Sequence, residues 1–297
     1  MIRIGSRGSA LARWQAEHVR ARLETLGHPC HIEIITTTGD RVQDRRLESV
    51  GGKGAFLKEI EEAMLAGEVD LAVHSLKDVP TALPDGLRLC AILERADPRD
   101  ALVSASAAPF GELPAGSRIG TSSLRRQCQV RALRPDLEVS DLRGNVDTRL
   151  AKLRDGRCDA IVLAMAGLAR LGREAEATQA LDPETFVPAP GQGAIVLECR
   201  SGDAAVASAA APLHHAASGR AVEAERALLQ ALGGGCNVPL GAHATVEGPA
   251  LRLVAFVGRA DGSSLVRGER RGTDPAALGR ALAEDLLARG ARSLLAP

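Results

Sequence analysis

Residues 67–80 read Gly-Glu-Val-Asp-Leu-Ala-Val-His-Ser-Leu-Lys-Asp-Val-Pro. Val69 to His74 is a short apolar run behind a glycine, and it opens into the polar turn Ser75-Leu76-Lys77-Asp78. That is the form of a buried strand delivering polar side chains at its carboxyl end. Gly156-Arg-Cys-Asp159-Ala-Ile-Val162 keeps the same Gly-to-Asp spacing and the same apolar continuation. A second pair, Arg3-Ile-Gly-Ser6 and Arg118-Ile-Gly-Thr121, opens in each case a strand that breaks at glycine before a helix. Chance accounts for either echo alone, whereas the two together point to two lobes of similar build.

Working outward, short apolar runs alternate with stretches of helical period, which predicts α/β architecture with mainly parallel strands. Strands are expected at 2–4, 31–37, 69–74, 87–93, 117–120, 138–142, 160–164 and 194–199, with helical spacing at Leu11, Val19, Leu23 and again at Ile60, Met64. Arg95 to Asp100 and Pro188 to Gly193 break regular structure and read as paired hinges. The chain then divides into a first domain of 1–94 and 194–213, a second inserted at 99–189, and a small α+β domain at 216–297. The last begins with a helix ending at Gly233-Gly-Gly-Cys236 and continues into antiparallel strands, Leu251 to Val257 and Ser264 to Glu269, around Asp261-Gly262. Two lobes joined by hinges are expected to face each other across a cleft.

Composition narrows the function. The 297 residues carry 37 Lys+Arg against 37 Asp+Glu, a zero balance that argues against nucleic acid or an anionic membrane as partner. Aromatics are 2%, so the core must be aliphatic. Only four cations are lysine, which leaves 33 arginines. The six cysteines show no Cys-x-x-Cys and no zinc-type pairing with histidine, so no metal is expected. No signal segment or long apolar run is present, and the reading is a cytoplasmic protein with reduced thiols.

Gly120-Thr-Ser-Ser-Leu-Arg-Arg126 stands where a strand gives way to a helix, and residues 118–157 hold ten basic side chains against five acidic ones. A helix N-terminus with hydroxyls and paired guanidinium groups makes an anion site, arginine being suited to carboxylate or phosphate. The plainer alternative is a Ser/Thr cap with solvated arginines. Arg143 and Arg149 add to this patch. Without interleaved aromatics it suits small polyanions better than nucleic acid. Asp78, among Ser, Lys and Arg, is either a structural counter-ion or a catalytic carboxylate that stabilises a developing cation. Residues 36–56 fail the P-loop pattern, because Gly54 follows Lys53, and read as a lid. Cys236 sits beside three glycines with little cover and reads as a buried apolar residue, a nucleophile or an attachment point.

These motifs, in this order, resemble the porphobilinogen deaminase family. The resemblance runs through Arg7-Gly-Ser-Ala-Leu-Ala-Arg-Trp-Gln15, Gly51-Gly-Lys-Gly54, His74-Ser-Leu-Lys-Asp-Val-Pro80, Gly120 to Arg126, Leu142-Arg-Gly-Asn145, Gly191-Gln-Gly193 and Gly234-Gly-Cys236. It implies two lobes built like those of periplasmic binding proteins plus a small third domain. It implies the stepwise joining of four porphobilinogen molecules, with loss of ammonia, into the linear tetrapyrrole 1-hydroxymethylbilane. Each pyrrole carries an acetate and a propionate, so the growing chain is a string of carboxylates and needs a concentrated arginine site.

By the same resemblance Cys236 carries a covalent dipyrromethane cofactor through a thioether, and Asp78 is the catalytic carboxylate. Arg7 and Ser9 would bind incoming substrate. Lys77, Thr121, Ser123, Arg125 and Arg126 would hold the cofactor carboxylates, and Arg143, Arg149 and Gln192 would assist binding. Lys53 and Phe56 would belong to a flexible loop over the site. Asp147 and Ala55 depart from the family's usual residues, the first adding a negative charge near Arg143 and Arg149. The expected partners are porphobilinogen and the growing polypyrrole, the expected state a monomer. A non-enzymatic anion-binding protein or regulator domain on the same two-lobe fold is the rival, since fold does not fix function. A cysteine hydrolase fits less well, because no cue marks a histidine base for Cys236.

Overall fold

The computed structural model describes residues 1–41, 54, 56–233 and 238–295. The lid residue Lys53, the departure at Ala55 and Cys236 lie outside them. The chain runs β1 (Ile2–Ser6), α1 (Ala10–Thr25), β2 (Cys30–Ile34), α2 (Thr38–Arg41), α3 (Lys58–Leu65), β3 (Leu71–Ser75), a 3-10 turn (Leu76–Asp78) and β4 (Leu87–Ile92). It continues through β5 (Asp100–Ser104), β6 (Arg118–Gly120), α4 (Leu124–Leu133), β7 (Glu138–Ser140), α5 (Val146–Arg154), β8 (Ala160–Ala164), α6 (Met165–Arg170) and β9 (Gln179–Ala180). Then follow β10 (Ile195–Arg200), α7 (Ala204–Ala210), α8 (Ala216–Ala231), β11 (Leu240–Glu247), β12 (Ala250–Gly258), β13 (Leu265–Gly272), α9 (Pro275–Leu286) and α10 (Arg292–Leu295).

Contacts divide the chain into two units, Met1–Ala96 with Gly193–Gly219, and Asp97–Gln192 with Arg220–Pro297. The first is built on a sheet of order β2-β1-β3-β10-β4 and the second on β7-β6-β8-β5-β9. These are one topology used twice, for β1, β2 and β3 pair in parallel just as β6, β7 and β8 do, while β10 and β5 run antiparallel beside β3 and β8. Four of the five strands in each sheet run the same way, as the sequence suggests, and one strand, β10 or β5, runs against them and makes the sheet mixed. The antiparallel strands are the ones adjoining the links at 93–99 and 188–194. They enter their sheets without a βαβ crossover, the connection that forces parallel pairing.

The echoed segments bind each other. Arg3 donates from its backbone N–H and Nε to Asp70 Oδ2, both at 3.0 Å, and from Nη2 to Oδ1 at 2.7 Å. Arg118 donates to Asp159 in the same way, from its N–H at 2.7 Å and its guanidinium at 3.2–3.3 Å. Ahead of each aspartate, α3 and α5 close identically. Glu68 N–H reaches Ala63 O at 2.8 Å across Gly67, and Arg157 N–H reaches Lys152 O at 3.1 Å across Gly156. Both glycines lie in the left-handed region, φ +74° and +70°, as this helix stop requires.

Each unit has its own aliphatic core. In the first, one face of α1 (Ala16, Val19, Leu23) packs with Ile4, Leu71, Val73 and Leu197, and the opposite face of the sheet meets Ile60 and Met64 of α3. The second unit holds two layers around β6 and β8, and a further core where α8, α9 and α10 cover the three-stranded sheet β11-β12-β13. That small sheet is seated against α4 through Cys128, Val187, Val254 and Phe256. Glu225 of α8 is wholly buried and accepts N–H bonds from Gly191 and Ala244, both at 2.7 Å.

Candidate active site

In the first unit, β1 and β3 end side by side, and the segments leaving their carboxyl ends enclose a cavity of about 70 Å³. It is lined by Arg7, Ser9, Gln15, Phe56, His74 and Asp78, among others. Of the first unit's expected site residues within the described part, only Lys77, one position before Asp78 in the 3-10 turn, is not among its walls. Ser9 is the N-cap of α1 and accepts the Ala12 N–H at 3.3 Å. Gln15 is buried and donates to Ser75 Oγ at 2.8 Å, which fixes the turn leaving β3.

The charges in this cavity are unequally matched. Arg7 donates to Asp40 through Nε and Nη2, and its guanidinium lies 4.1 Å from the centre of the Phe56 ring. Thr37 also donates to Asp40, at 2.8 Å from its hydroxyl. Burial alone would raise the Asp40 carboxyl, but the Arg7 and Thr37 bonds outweigh it and hold it low. Asp78, by contrast, makes no hydrogen bond or ion pair among the described residues. Among the described residues the cavity thus holds a carboxylate without a counter-ion. Behind it, His74 Nε2 stands 3.1 Å from Glu198 Oε2 on β10, with Glu198 wholly buried.

The second unit gathers the other expected residues around Asp100, the first residue of β5. Arg125 donates to Asp100 at 2.6 and 3.2 Å and to Val187 O at 2.7 Å. Arg126 donates to Asp100 at 3.0 and 2.7 Å and to Val162 O at 2.8 Å. Gln192 adds a bond to Asp100 at 3.0 Å and one to Pro98 O at 2.8 Å. Both guanidinium groups are buried, not solvated. Two cations on one carboxylate leave a net positive charge, and of five N–H per arginine these bonds use three. Burial would push Asp100 up, yet the paired arginines hold it well below the carboxylate range.

Thr121 is fully buried, its Oγ1 accepting the Ser123 N–H at 3.3 Å, and Ser123 caps α4 through the Arg126 N–H at 3.5 Å. Arg149 donates to Gly144 O at 2.8 Å, and Arg143 stands 3.5 Å from Asp141. Asp147 is matched by Arg173 at 3.0 Å. Sequence reasoning missed Asp100, which it placed in a hinge. The signal was there as an acid directly before the apolar run Ala101-Leu-Val103, where a buried charge must have a partner. It also passed over Arg170, pushed down to about 10 by burial. The five described cysteines are free, and burial raises the thiols of Cys30, Cys90, Cys128 and Cys158, which fits a packing role. Among the described residues no cluster of ligating side chains could hold a metal, and no helix is long and apolar enough to cross a membrane.

A periplasmic substrate-binding protein from Coxiella burnetii matches 73% of this chain and 93% of its own at 13% identity, with a TM-score of 0.44. Porphobilinogen deaminases from Roseiflexus castenholzii and Thiobacillus denitrificans are 54% and 53% identical over 99% of this chain, and over 98% and 97% of their own length. The family model for the porphobilinogen deaminase dipyrromethane cofactor binding domain matches residues 2–208, and that for the C-terminal domain residues 220–288. Both five-stranded sheets and the small sheet fall within those spans, and the chain belongs to the porphobilinogen deaminase family.

Proposed function

We propose that this chain is a hydroxymethylbilane synthase, joining four porphobilinogen molecules head to tail with loss of ammonia, and that Asp78 is the carboxylate on which the chemistry turns. The observation that carries the reading is the unpaired state of Asp78 among the described residues, in a cavity it shares with Arg7. Loss of ammonia from the aminomethyl group leaves a cationic azafulvene, and a carboxylate held in a partly dry cavity stabilises that charge far better than water does. Asp78 also accepts the pyrrole N–H. Arg7 takes a substrate carboxylate in place of Asp40, because its planar fork suits either one. A plain anion-binding site would not set an unpaired carboxylate in the same cavity, and this disfavours the non-enzymatic reading.

A dipyrromethane bears four carboxylates, and the donor set of the second unit fits it. The cluster of Arg125, Arg126 and Asp100 is net positive, with N–H groups left over. Arg125 and Arg126, with Thr121, Ser123 and Lys77, would hold those carboxylates, Arg143, Arg149 and Gln192 would steady the growing chain, and Cys236 would be the attachment point. The bound group supplies the pyrrole to which the first substrate is joined. We read the protein as a cytoplasmic monomer without nucleic-acid or membrane partners. Asp78→Asn tests the catalytic role: tetrapyrrole formation should fall by about 10²–10⁴-fold with the cofactor still attached. Normal turnover in that variant would remove Asp78 from the mechanism.

A further inference from the structure

Joining two pyrroles breaks the C–N bond of the aminomethyl group, with the electron pair leaving on nitrogen. A C–C bond forms from the α-carbon of the neighbouring pyrrole, that carbon loses its proton, and ammonia gains one. Asp78 faces the cation in both steps, and a second group in the same cavity would carry the proton between them. Of the other cavity walls, arginine is too weak an acid, the Ser9 hydroxyl caps a helix and the Gln15 amide is bound to Ser75. His74 is left, and imidazole is the side chain that takes up and releases protons near neutral pH.

We propose that His74, backed by Glu198, is a catalytic proton carrier of this cavity, giving a proton to the nitrogen as ammonia departs and recovering one from the α-carbon after the C–C bond has formed. The inference rests on the functional reading above. His74 lies on β3 four residues before Asp78, lines the same cavity and is 6% exposed. Its Nε2 is engaged by Glu198, and among the described residues its Nδ1 makes no hydrogen bond, which leaves that nitrogen for a ligand. Glu198 is 0% exposed, and its second oxygen, Oε1, has no partner among the described residues. From α3, Glu61 faces the same pair. Burial and the Glu198 charge push its carboxyl up while His74 pulls it down. Of this group only His74 lines the cavity with Asp78, where the reaction releases a proton.

His74→Asn and Glu198→Gln in the full chain test this. Both should keep the fold and the covalent cofactor, read by thermal unfolding and intact mass. His74→Asn should lower kcat by about 10²-fold or more with KM within about two-fold, and Glu198→Gln should lower kcat by about ten-fold. In wild-type protein with ¹⁵N-labelled histidine, a porphobilinogen analogue lacking the amino group should shift the His74 ring-nitrogen resonances. Unchanged kcat in a loaded His74→Asn variant overturns the proposal. If that variant fails to fold or load, unchanged kcat in Glu198→Gln overturns it, as does a His74 resonance indifferent to the analogue. Wild-type protein that fails to consume porphobilinogen would instead remove the functional reading beneath it.

Discussion

Asp40, Asp70, Asp78 and Asp100 are chemically the same residue with different work, and what separates them is the arginine each one meets. Asp70 meets Arg3 and Arg200, Asp100 meets Arg125 and Arg126, and the carboxyl groups of both are held well below the usual range. A depressed pKa contributes stability that is complete above the unfolded value, about 3.9, and is lost as pH falls toward the folded one. Acid unfolding of the wild type should therefore steepen below about pH 4. Asp100→Asn should flatten that loss while costing about 3–5 kcal/mol at neutral pH, because it strands two buried guanidinium groups. Urea titrations at pH 7 and pH 3 read both effects, and a neutral-pH cost below 1 kcal/mol would contradict the cluster's role. None of this division was legible from spacing. From spacing Asp78 reads as a counter-ion before a catalyst, and Asp100 reads as hinge, since a sequence does not show which cation a carboxylate will meet.

At the scale of elements, the two short echoes proved to be the two ends of one contact, Arg to Asp, made once in each unit. The pairs differ in cover. The Asp70 side chain is 14% exposed and shared with Arg200, whereas that of Asp159 is 46% exposed. Asp70→Asn should cost about 1–3 kcal/mol and Asp159→Asn under about 1 kcal/mol, measured by denaturant midpoint. The glycine in each Arg-Ile-Gly echo is also explained by close approach. A Cβ on Gly120 would lie 2.8 Å from Leu142 Cδ2 and 2.9 Å from Cys158 Sγ, while one on Gly5 would lie 3.1 Å from Val69 Cγ2. Gly120→Ala should thus destabilise by about 1–3 kcal/mol, and more than Gly5→Ala. Strand existence was legible wherever an apolar run stood between breaks. The direction of β5 and β10, and the strand β11 with its Gly241 and His243, were not, because pairing depends on partners far along the chain.

For the whole molecule, 37 cations balance 37 anions, so no net charge favours one sign of partner. The arginines that matter are drawn inward onto buried carboxylates, where Asp100 organises two of them at once. Arg7 and Asp40 likewise pair an arginine with one of the chain's own carboxylates. The family was legible because its motifs sit at strand ends, where sequence and chemistry coincide. The histidine–glutamate pair behind Asp78 was not, because a buried contact assembled from β3 and β10 leaves no local pattern. The central claim is that this chain builds on a dipyrromethane anchored at Cys236. Intact-mass measurement of protein produced where porphobilinogen is available tests it most directly. The account predicts an adduct of two pyrrole units, mapped to Cys236 and absent from Cys236→Ser. An unmodified wild-type chain would contradict it.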